Sequence, residues 1–138
     1  MKRVKVSRKA HFNAAHRLYR KDWSDAENEA HFGKCANPHF HGHNYELIVS
    51  VTGPIDPNTG YVMDMKVLKD HIKSEVEDAF DHKNLNLEVP EFADLIPTAE
   101  NISVVIHQKL KKILTPEQEL EVVLYETPRN FVTYTETK

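Results

Sequence analysis

The stretch His41-Gly42-His43-Asn44-Tyr45-Glu46-Leu47-Ile48-Val49-Ser50-Val51-Thr52 contains the clearest secondary-structure signal in the sequence. Residues 44–52 are rich in β-branched and aromatic side chains, which are typical of a strand, and Gly53-Pro54 ends the run. Residues two apart in a strand point to the same face of the sheet. If the strand begins at His41, the imidazoles of His41 and His43 therefore lie side by side.

Further strands and helices are predicted on both sides of this segment. Residues 4–15 alternate loosely between apolar and polar and predict a strand, and two more are predicted at 120–126 and 130–135. Apolar side chains at helical spacing predict amphipathic helices over 65–80 and from 97 to 115, and Ser24 begins a short polar helix that ends at Gly33. The two long helices lie between two pairs of strands. This order predicts an α+β fold, a four-stranded antiparallel sheet (ββααββ) with two helices on one face.

The edges of such a sheet need a partner. Four strands are too few to close a barrel, and open edges expose unpaired backbone groups. Sheets that join between subunits would cover these edges, so the strand count favours an oligomer.

Composition narrows the function classes. The 138 residues predict one domain spanning 1–138, with 40% hydrophobic and 28% charged residues. A net charge of −3 argues against a general nucleic-acid or membrane-surface binder. A single cysteine excludes an internal disulfide framework. Together with an N-terminus that lacks an apolar run, these features predict a reduced, cytoplasmic protein.

Histidine is abundant, with nine residues, and its spacing indicates a metal site. His16 lies near the end of the first predicted strand and supplies a third nitrogen beside His41 and His43 if the two strands pair. Three neutral imidazoles on a rigid sheet match a catalytic zinc with an open fourth position. His-x-His pairs also occur as solvated loop residues, and that alternative stays open here. Apart from His82, the remaining histidines are predicted to be surface or packing residues: His11, His31, His39, His71 and His107.

Two other groups of side chains are candidates for proton transfer. Cys35 lies in a polar loop beside Lys34, a setting that favours a thiolate acting as base or nucleophile, although free cysteines are often small buried hydrophobes. Asp81-His82 follows the first long helix directly. This pair is either a proton relay or a histidine that interacts with the helix dipole.

Seven segments resemble the 6-pyruvoyl-tetrahydropterin synthase family, in the family's order and over nearly the whole chain. They are residues 12–18, 32–35, 41–45, 60–64, 81–86, 98–101 and 125–128. The resemblance implies the tunnelling fold, in which three subunits join their sheets into one barrel and two trimers stack into a homohexamer.

The resemblance also implies a set of site residues. The zinc ligands are implied to be His16, His41 and His43. The catalytic triad is implied to be Cys35, Asp81 and His82. Glu126 is implied as the pterin anchor, helped by Thr98, since one carboxylate can accept two adjacent pterin N–H groups. Without the rest of the pattern, Glu126 reads as a strand glutamate in a surface ion pair.

The implied reaction belongs to tetrahydrobiopterin biosynthesis. Enzymes of the family are lyases that convert 7,8-dihydroneopterin triphosphate to 6-pyruvoyl-tetrahydropterin with loss of triphosphate. Zinc bound to the oxygens of the substrate's side chain would acidify the adjacent C–H of the substrate, and the Cys35 thiolate would remove or relay that proton. Lys34, Arg17 and Arg129 are candidate partners of the triphosphate, with Mg²⁺ as a candidate helper.

Two alternatives remain beside this one. The 6-carboxy-5,6,7,8-tetrahydropterin synthases of queuosine biosynthesis resemble the chain in site residues, but typically place three residues between the cysteine and the first histidine, where this chain has five. Two features argue against the pyruvoyl branch. Phe40 stands where its animal enzymes usually have glycine, and Thr98-Ala99 replaces their usual Thr-Thr or Ser-Thr. The second alternative is a non-catalytic zinc- and pterin-binding oligomer, which would have no use for a Cys35 thiolate.

Overall fold

In a computed structural model of the chain, residues 2–136 form a five-stranded sheet with helices packed against one face. Met1, Thr137 and Lys138, the ends of the predicted domain 1–138, lie outside the described residues. The elements, in chain order, are β1 (Arg3–His16), α1 (Asp25–Phe32), β2 (His41–Pro54), α2 (Met65–Ile72), α3 (Asp78–Phe80), β3 (Lys83–Asn84), α4 (Leu85–Glu88), α5 (Ala99–Leu110), β4 (Glu119–Tyr125) and β5 (Phe131–Thr135). Within residues 2–136, no helix has the length and apolar character needed to cross a membrane.

The sheet has the strand order β3-β1-β2-β4-β5. The four longer strands pair antiparallel, whereas β3 pairs parallel with β1 at Ala14 and Ala15. The predicted α+β class is therefore confirmed, but the prediction of four antiparallel strands is wrong, because the sheet is mixed and has five. A two-residue strand is too short to show a period-two pattern in the sequence.

The core lies between one face of the sheet and the helices. Alternate residues of β1, β2 and β4 are buried there, as period-two alternation requires; they are Phe12, Ala14, Tyr45, Leu47, Val49, Val51, Leu120, Val122 and Leu124. From α5, Ile102, Ile106 and Leu110 pack against this layer. The helices thus fix which face of each strand is buried, and with it the face on which His16 lies.

The predicted helix over 65–80 is continuous in space but changes its pitch. After α2, residues Lys73–Glu77 form a π-helical turn that leads into α3. Leu68, Ile72 and Phe80 are buried as expected. Val67, which the pattern assigned to the same apolar stripe, is 50% exposed. The polar helix begins where Ser24 accepts a hydrogen bond from the Glu27 amide, as predicted.

The two edges of the sheet are unequal. β1 has β3 as an outer neighbour only at its C-terminal end, so among the described residues the outer edge of Arg3 to Phe12 has no strand partner. β5 forms the opposite edge, where Phe131 is 55% exposed. Both edges have the unpaired backbone that an additional strand could bind.

Phe40, directly before β2, adopts a left-handed backbone with φ of 67°. A non-glycine residue pays a steric penalty there because its Cβ approaches the following carbonyl. Glycine, which the animal enzymes of the resembled family usually have here, has no Cβ and avoids this penalty.

Substituting this residue tests the backbone strain. Phe40→Gly and Phe40→Ala both remove the ring, but only glycine escapes the left-handed penalty, so we expect the glycine variant to be more stable by about 1 kcal/mol. Urea unfolding of both variants measures the difference. The matched control uses Val67→Gly and Val67→Ala in α2. There the alanine variant should be the more stable one, because glycine destabilises a helix interior by roughly 0.5–1 kcal/mol relative to alanine. An alanine variant that is as stable as the glycine variant at position 40 would contradict the assignment.

Candidate functional site

The C-terminal end of β1 and the N-terminal end of β2 bring three histidines together. His16 pairs with His41, and Ala14 pairs with His43. The three rings lie on the helix-covered side, with centroids 4.5 Å (His16 to His41), 5.1 Å (His16 to His43) and 5.0 Å (His41 to His43) apart. One nitrogen from each ring lies within 4.8 Å of the others, so the group could hold a metal ion.

Each of the three rings has a buried nitrogen that finds no hydrogen-bond partner among residues 2–136. These atoms are His16 Nε2, His41 Nδ1 and His43 Nε2. A buried polar atom left unpaired costs about 1–3 kcal/mol. Three such atoms in one cluster are costly without a shared ligand, and neutral imidazole nitrogens are good ligands for transition metals such as zinc. The donor set therefore fits a metal ion.

Hydrogen bonding assigns the tautomer of His16. Its Nδ1 lies 2.7 Å from the carbonyl oxygen of Pro97, so Nδ1–H donates and Nε2 keeps its lone pair. The ring is only 1% exposed, and this burial, together with the neighbouring His41 and His43, lowers the pKa of His16 to about 4, against the effect of the Pro97 bond. The imidazole is consequently neutral at physiological pH, as a metal ligand must be.

Burial also lowers the pKa of His41, helped by His43 and opposed by the charge of Glu126. Glu126 follows β4 and lies on the same face of the sheet, where its Oε1 is 3.8 Å from His43 Nε2. The predicted pterin anchor therefore borders the histidine cluster. At 3.8 Å the two groups are too far apart for a hydrogen bond, which leaves the carboxylate oxygens able to accept from a ligand.

Thr98 lies one residue from the carbonyl that orients His16. It is the N-cap of α5, and its hydroxyl accepts a hydrogen bond from the Asn101 amide at 3.1 Å. A threonine hydroxyl that accepts still has its proton to donate. Thr98 therefore follows the residue whose carbonyl binds His16, and the structure gives it a helix-capping role.

Cys35 lies in a 3₁₀ turn, Gly33–Ala36, and is half-buried. The Cys35 carbonyl accepts from the Leu18 amide at 2.8 Å, and the Ala36 carbonyl accepts from Arg17 Nε at 2.8 Å. These contacts hold the turn against the residues that follow His16. The cysteine is consequently tied to the end of the strand that provides one of the histidines.

Asp81 and His82 lie elsewhere, on the outer edge of β1. Asp81 Oδ1 accepts from the Asn13 amide at 2.8 Å, and Oδ2 lies 2.9 Å from His82 Nδ1. The Asn13 amide and His82 lower the pKa of the Asp81 carboxyl, in that order of importance. Among residues 2–136, neither member of the pair has a hydrogen bond or ion pair with Cys35. Within residues 2–136 of one chain, hydrogen bonds therefore do not join Cys35 to the other two members of the implied triad.

Comparison with known proteins matches residues 5–137 to the model of the family described as 6-pyruvoyl tetrahydropterin synthase. The chain belongs to this family. It is 48% identical to 6-pyruvoyl tetrahydrobiopterin synthase of Pongo abelii and 47% identical to that of Homo sapiens, in each case over 95% of this chain and 90% of the relative. Among solved structures, Caenorhabditis elegans 6-pyruvoyl tetrahydropterin synthase matches with a TM-score of 0.91 and 40% identity, covering 99% of this chain and 98% of that one.

Reasoning from the sequence missed two members of this family site. The Pro97 carbonyl fixes the His16 tautomer, and the Tyr45 hydroxyl lies 3.3 Å from the same His16 Nδ1. Tyr45 is fully buried, and burial together with Glu126 raises the pKa of its hydroxyl. Its position two residues after His43 placed it on the same face of β2, a signal that the alternation already contained.

Removing one histidine tests the metal site. We expect His41→Ala to lose stoichiometric binding of Zn²⁺ or Co²⁺, because two imidazoles hold such an ion far less tightly than three. Metal titration of protein first stripped with chelator measures this. The control is His39→Ala, since His39 is exposed and outside the cluster. Equal metal binding by both variants would show that the ligand set is wrong.

Proposed function

We propose that this protein is a 6-pyruvoyl-tetrahydropterin synthase, a lyase that converts 7,8-dihydroneopterin triphosphate to 6-pyruvoyl-tetrahydropterin with elimination of triphosphate. The observation that carries the proposal is the convergence of three imidazoles next to the carboxylate of Glu126. Membership of the family and relatives named for this activity at 47–48% identity support it.

The ion proposed for the histidine cluster is Zn²⁺. Three neutral nitrogen donors without a thiolate or carboxylate in the set are typical of a catalytic zinc that keeps one position open. When bound, the metal would supply Lewis-acid polarisation of the substrate's side-chain oxygens. The protein's own contribution is the fixed His16 tautomer, which Pro97 maintains from behind the ring.

Glu126 is proposed to anchor the pterin and Thr98 to assist it. A carboxylate can accept from two neighbouring N–H groups of the pterin at once, which fixes the orientation of a planar ring. Since Glu126 Oε1 lies 3.8 Å from His43 Nε2, a pterin held there has its side chain near the metal position. The remaining hydroxyl proton of Thr98 is available to a pterin acceptor.

Proton transfer is proposed for Cys35, with Asp81 and His82. Both carboxylate oxygens of Asp81 are engaged, one by the Asn13 amide and one by His82. Asp81 is therefore suited to orienting the imidazole, while His82, 83% exposed in its side chain, is free to exchange a proton. In this proposal Cys35 takes the proton from the substrate carbon and His82 adjusts the protonation of the thiol.

The proposed assembly is a cytoplasmic homohexamer of single-domain subunits. The outer edge of β1, which has no strand partner among residues 2–136 from Arg3 to Phe12, and the β5 edge are the surfaces proposed to join sheets between copies. The Asp81–His82 pair lies beside Asn13 at the outer edge of β1, and among residues 2–136 it has no hydrogen bond to Cys35. We propose that a neighbouring copy, paired at this edge, supplies the Cys35 that completes the triad.

A 6-carboxy-tetrahydropterin synthase is the second candidate, because its implied site residues are the same. The five residues between Cys35 and His41 favour the pyruvoyl product, as do the relatives named for it. Phe40, directly before His41, and Thr98, directly after Pro97, are the positions through which product choice is proposed to differ.

Turnover of purified protein tests the proposal. We expect wild-type protein to convert 7,8-dihydroneopterin triphosphate to the pyruvoyl product, identified by mass, and Cys35→Ala to be slower by about 10²-fold or more, the usual contribution of an acid–base group. Metal content serves as the control, because Cys35 is not in the histidine cluster and the variant should bind metal normally. A carboxy product would establish the second candidate. Full turnover by Cys35→Ala would contradict the catalytic role and leave only pterin binding.

Mixed oligomers test the division of the triad between copies. Cys35→Ala and Asp81→Asn are each expected to be nearly inactive alone. Co-expressed, they should recover part of the wild-type turnover, because some sites would then combine an intact Cys35 from one copy with an intact Asp81 from another. No recovery in oligomers shown by native mass spectrometry to contain both variants would place the triad within one chain or exclude Asp81 from it.

A further inference from the structure

Two residues, Arg17 and Leu18, continue β1 beyond its last pair with β2. The register of the two strands ends where His16 meets His41. The chain then leaves the sheet and returns to it only at β2. Arg17 and Leu18 would therefore have free backbone groups on both sides, and the structure gives the Arg17 amide, the Arg17 carbonyl and the Leu18 amide partners that are not strands.

Asn86 satisfies the outer side. Its Oδ1 accepts from the Arg17 amide at 2.8 Å, and its Nδ2 donates to the Arg17 carbonyl at 2.9 Å. One side-chain amide thus replaces the residue that a neighbouring strand would provide. Residues 81–86, the segment that contains Asn86, also bind β1 at earlier positions. β3 pairs with Ala14 and Ala15. At Asn13, the backbone N–H donates to Asp81 Oδ1 and the backbone C=O accepts from the His82 amide.

The turn that contains Cys35 satisfies the inner side. The Leu18 amide donates to the Cys35 carbonyl at 2.8 Å, in the place where β2 would otherwise continue the ladder. Arg17 adds a second bond from its Nε to the Ala36 carbonyl at 2.8 Å. The guanidinium also stacks on the Tyr19 ring, 3.9 Å from its centroid, which restricts its orientation.

These contacts form one continuous series from Asn86, through the Arg17–Leu18 backbone, to the Cys35 turn. We propose that Asn86 is a positioning residue that fixes Cys35 relative to the metal ligand His16. The inference rests on the proposed function only for the catalytic importance of Cys35. Asn86 does not touch the reacting atoms; it holds the two-residue extension against which the cysteine turn is bound.

The test compares Asn86→Leu, which keeps the side-chain size and loses both hydrogen bonds, with the wild type. We expect iodoacetamide to alkylate Cys35 about threefold faster or more, because a loosened turn exposes the thiol. We expect kcat to fall by about tenfold or more with little change in KM, since a displaced catalytic group acts on the chemical step. Metal bound per chain should not change, because Pro97 and the strand register hold His16 independently.

The matched control is Asn84→Leu. Asn84 lies in the same segment, and its side chain caps α4 at Leu87; within residues 2–136 it has no hydrogen bond to Arg17 or Leu18. We expect its alkylation rate to stay within about twofold of the wild type, as for a change that leaves thiol access intact. Equal acceleration in both variants would overturn the proposal, because general loosening of the segment would then explain it, and so would loss of metal by Asn86→Leu.

A second variant covers a failure of Asn86→Leu to fold. Arg17→Met removes the bond to the Ala36 carbonyl from the other end of the series, and it should also accelerate alkylation. Wild-type alkylation rates in the folded variants would overturn the proposal. Because alkylation does not require substrate, a wild type that fails to turn over dihydroneopterin triphosphate would contradict the proposed function while this test still decides the role of Asn86.

Discussion

The register of β1 against β2 is the constraint on which the site depends. Phe12 lies opposite Tyr45 and stacks on it with centroids 4.9 Å apart, and both rings are buried. A slip of one residue would move every side chain of β1 to the other face and expose this pair. The burial of two aromatic rings therefore determines that His16 meets His41 on the helix-covered side. The position of the three imidazoles is a consequence of core packing four residues away.

From this end of the ladder, contacts extend to every other part of the site. The Pro97 carbonyl binds His16 at the beginning of α5, and so links the metal position to Thr98. Arg17 and Leu18 link the same strand end to the Cys35 turn. Residues 81–86, which include β3, bind the outer edge of β1 at Asn13 and its extension at Arg17. Residues that are distant in sequence are thus held by their hydrogen bonds to one six-residue stretch, Asn13 to Leu18, which is why small changes there should affect the whole site.

Much of this arrangement could be predicted from the sequence because it is periodic. Alternation gave the strands and their buried faces, helical spacing gave the long helices, and the spacing of His41 and His43 placed both on one face. β3 was missed because two residues show no period, and Val67 was wrongly assigned to the buried stripe, because it is half exposed beside the buried Leu68. That Asp81 binds the Asn13 amide, with no hydrogen bond to Cys35 among residues 2–136, could not be predicted either, since both lie in segments whose path the local sequence does not determine.

The sequence by itself determined the α+β class, the family resemblance and the side chains available for metal binding and proton transfer, since these follow from residue type and short-range spacing. The tertiary structure alone decided which His16 nitrogen is free, which backbone groups hold the Cys35 turn, and on which edge Asp81 and His82 lie. The reason is physical: each of these depends on a hydrogen bond between segments far apart in the chain, such as that from His16 to Pro97 or from Asn86 to Arg17. Such bonds form only after the core has packed and brought their partners within about 3 Å of each other.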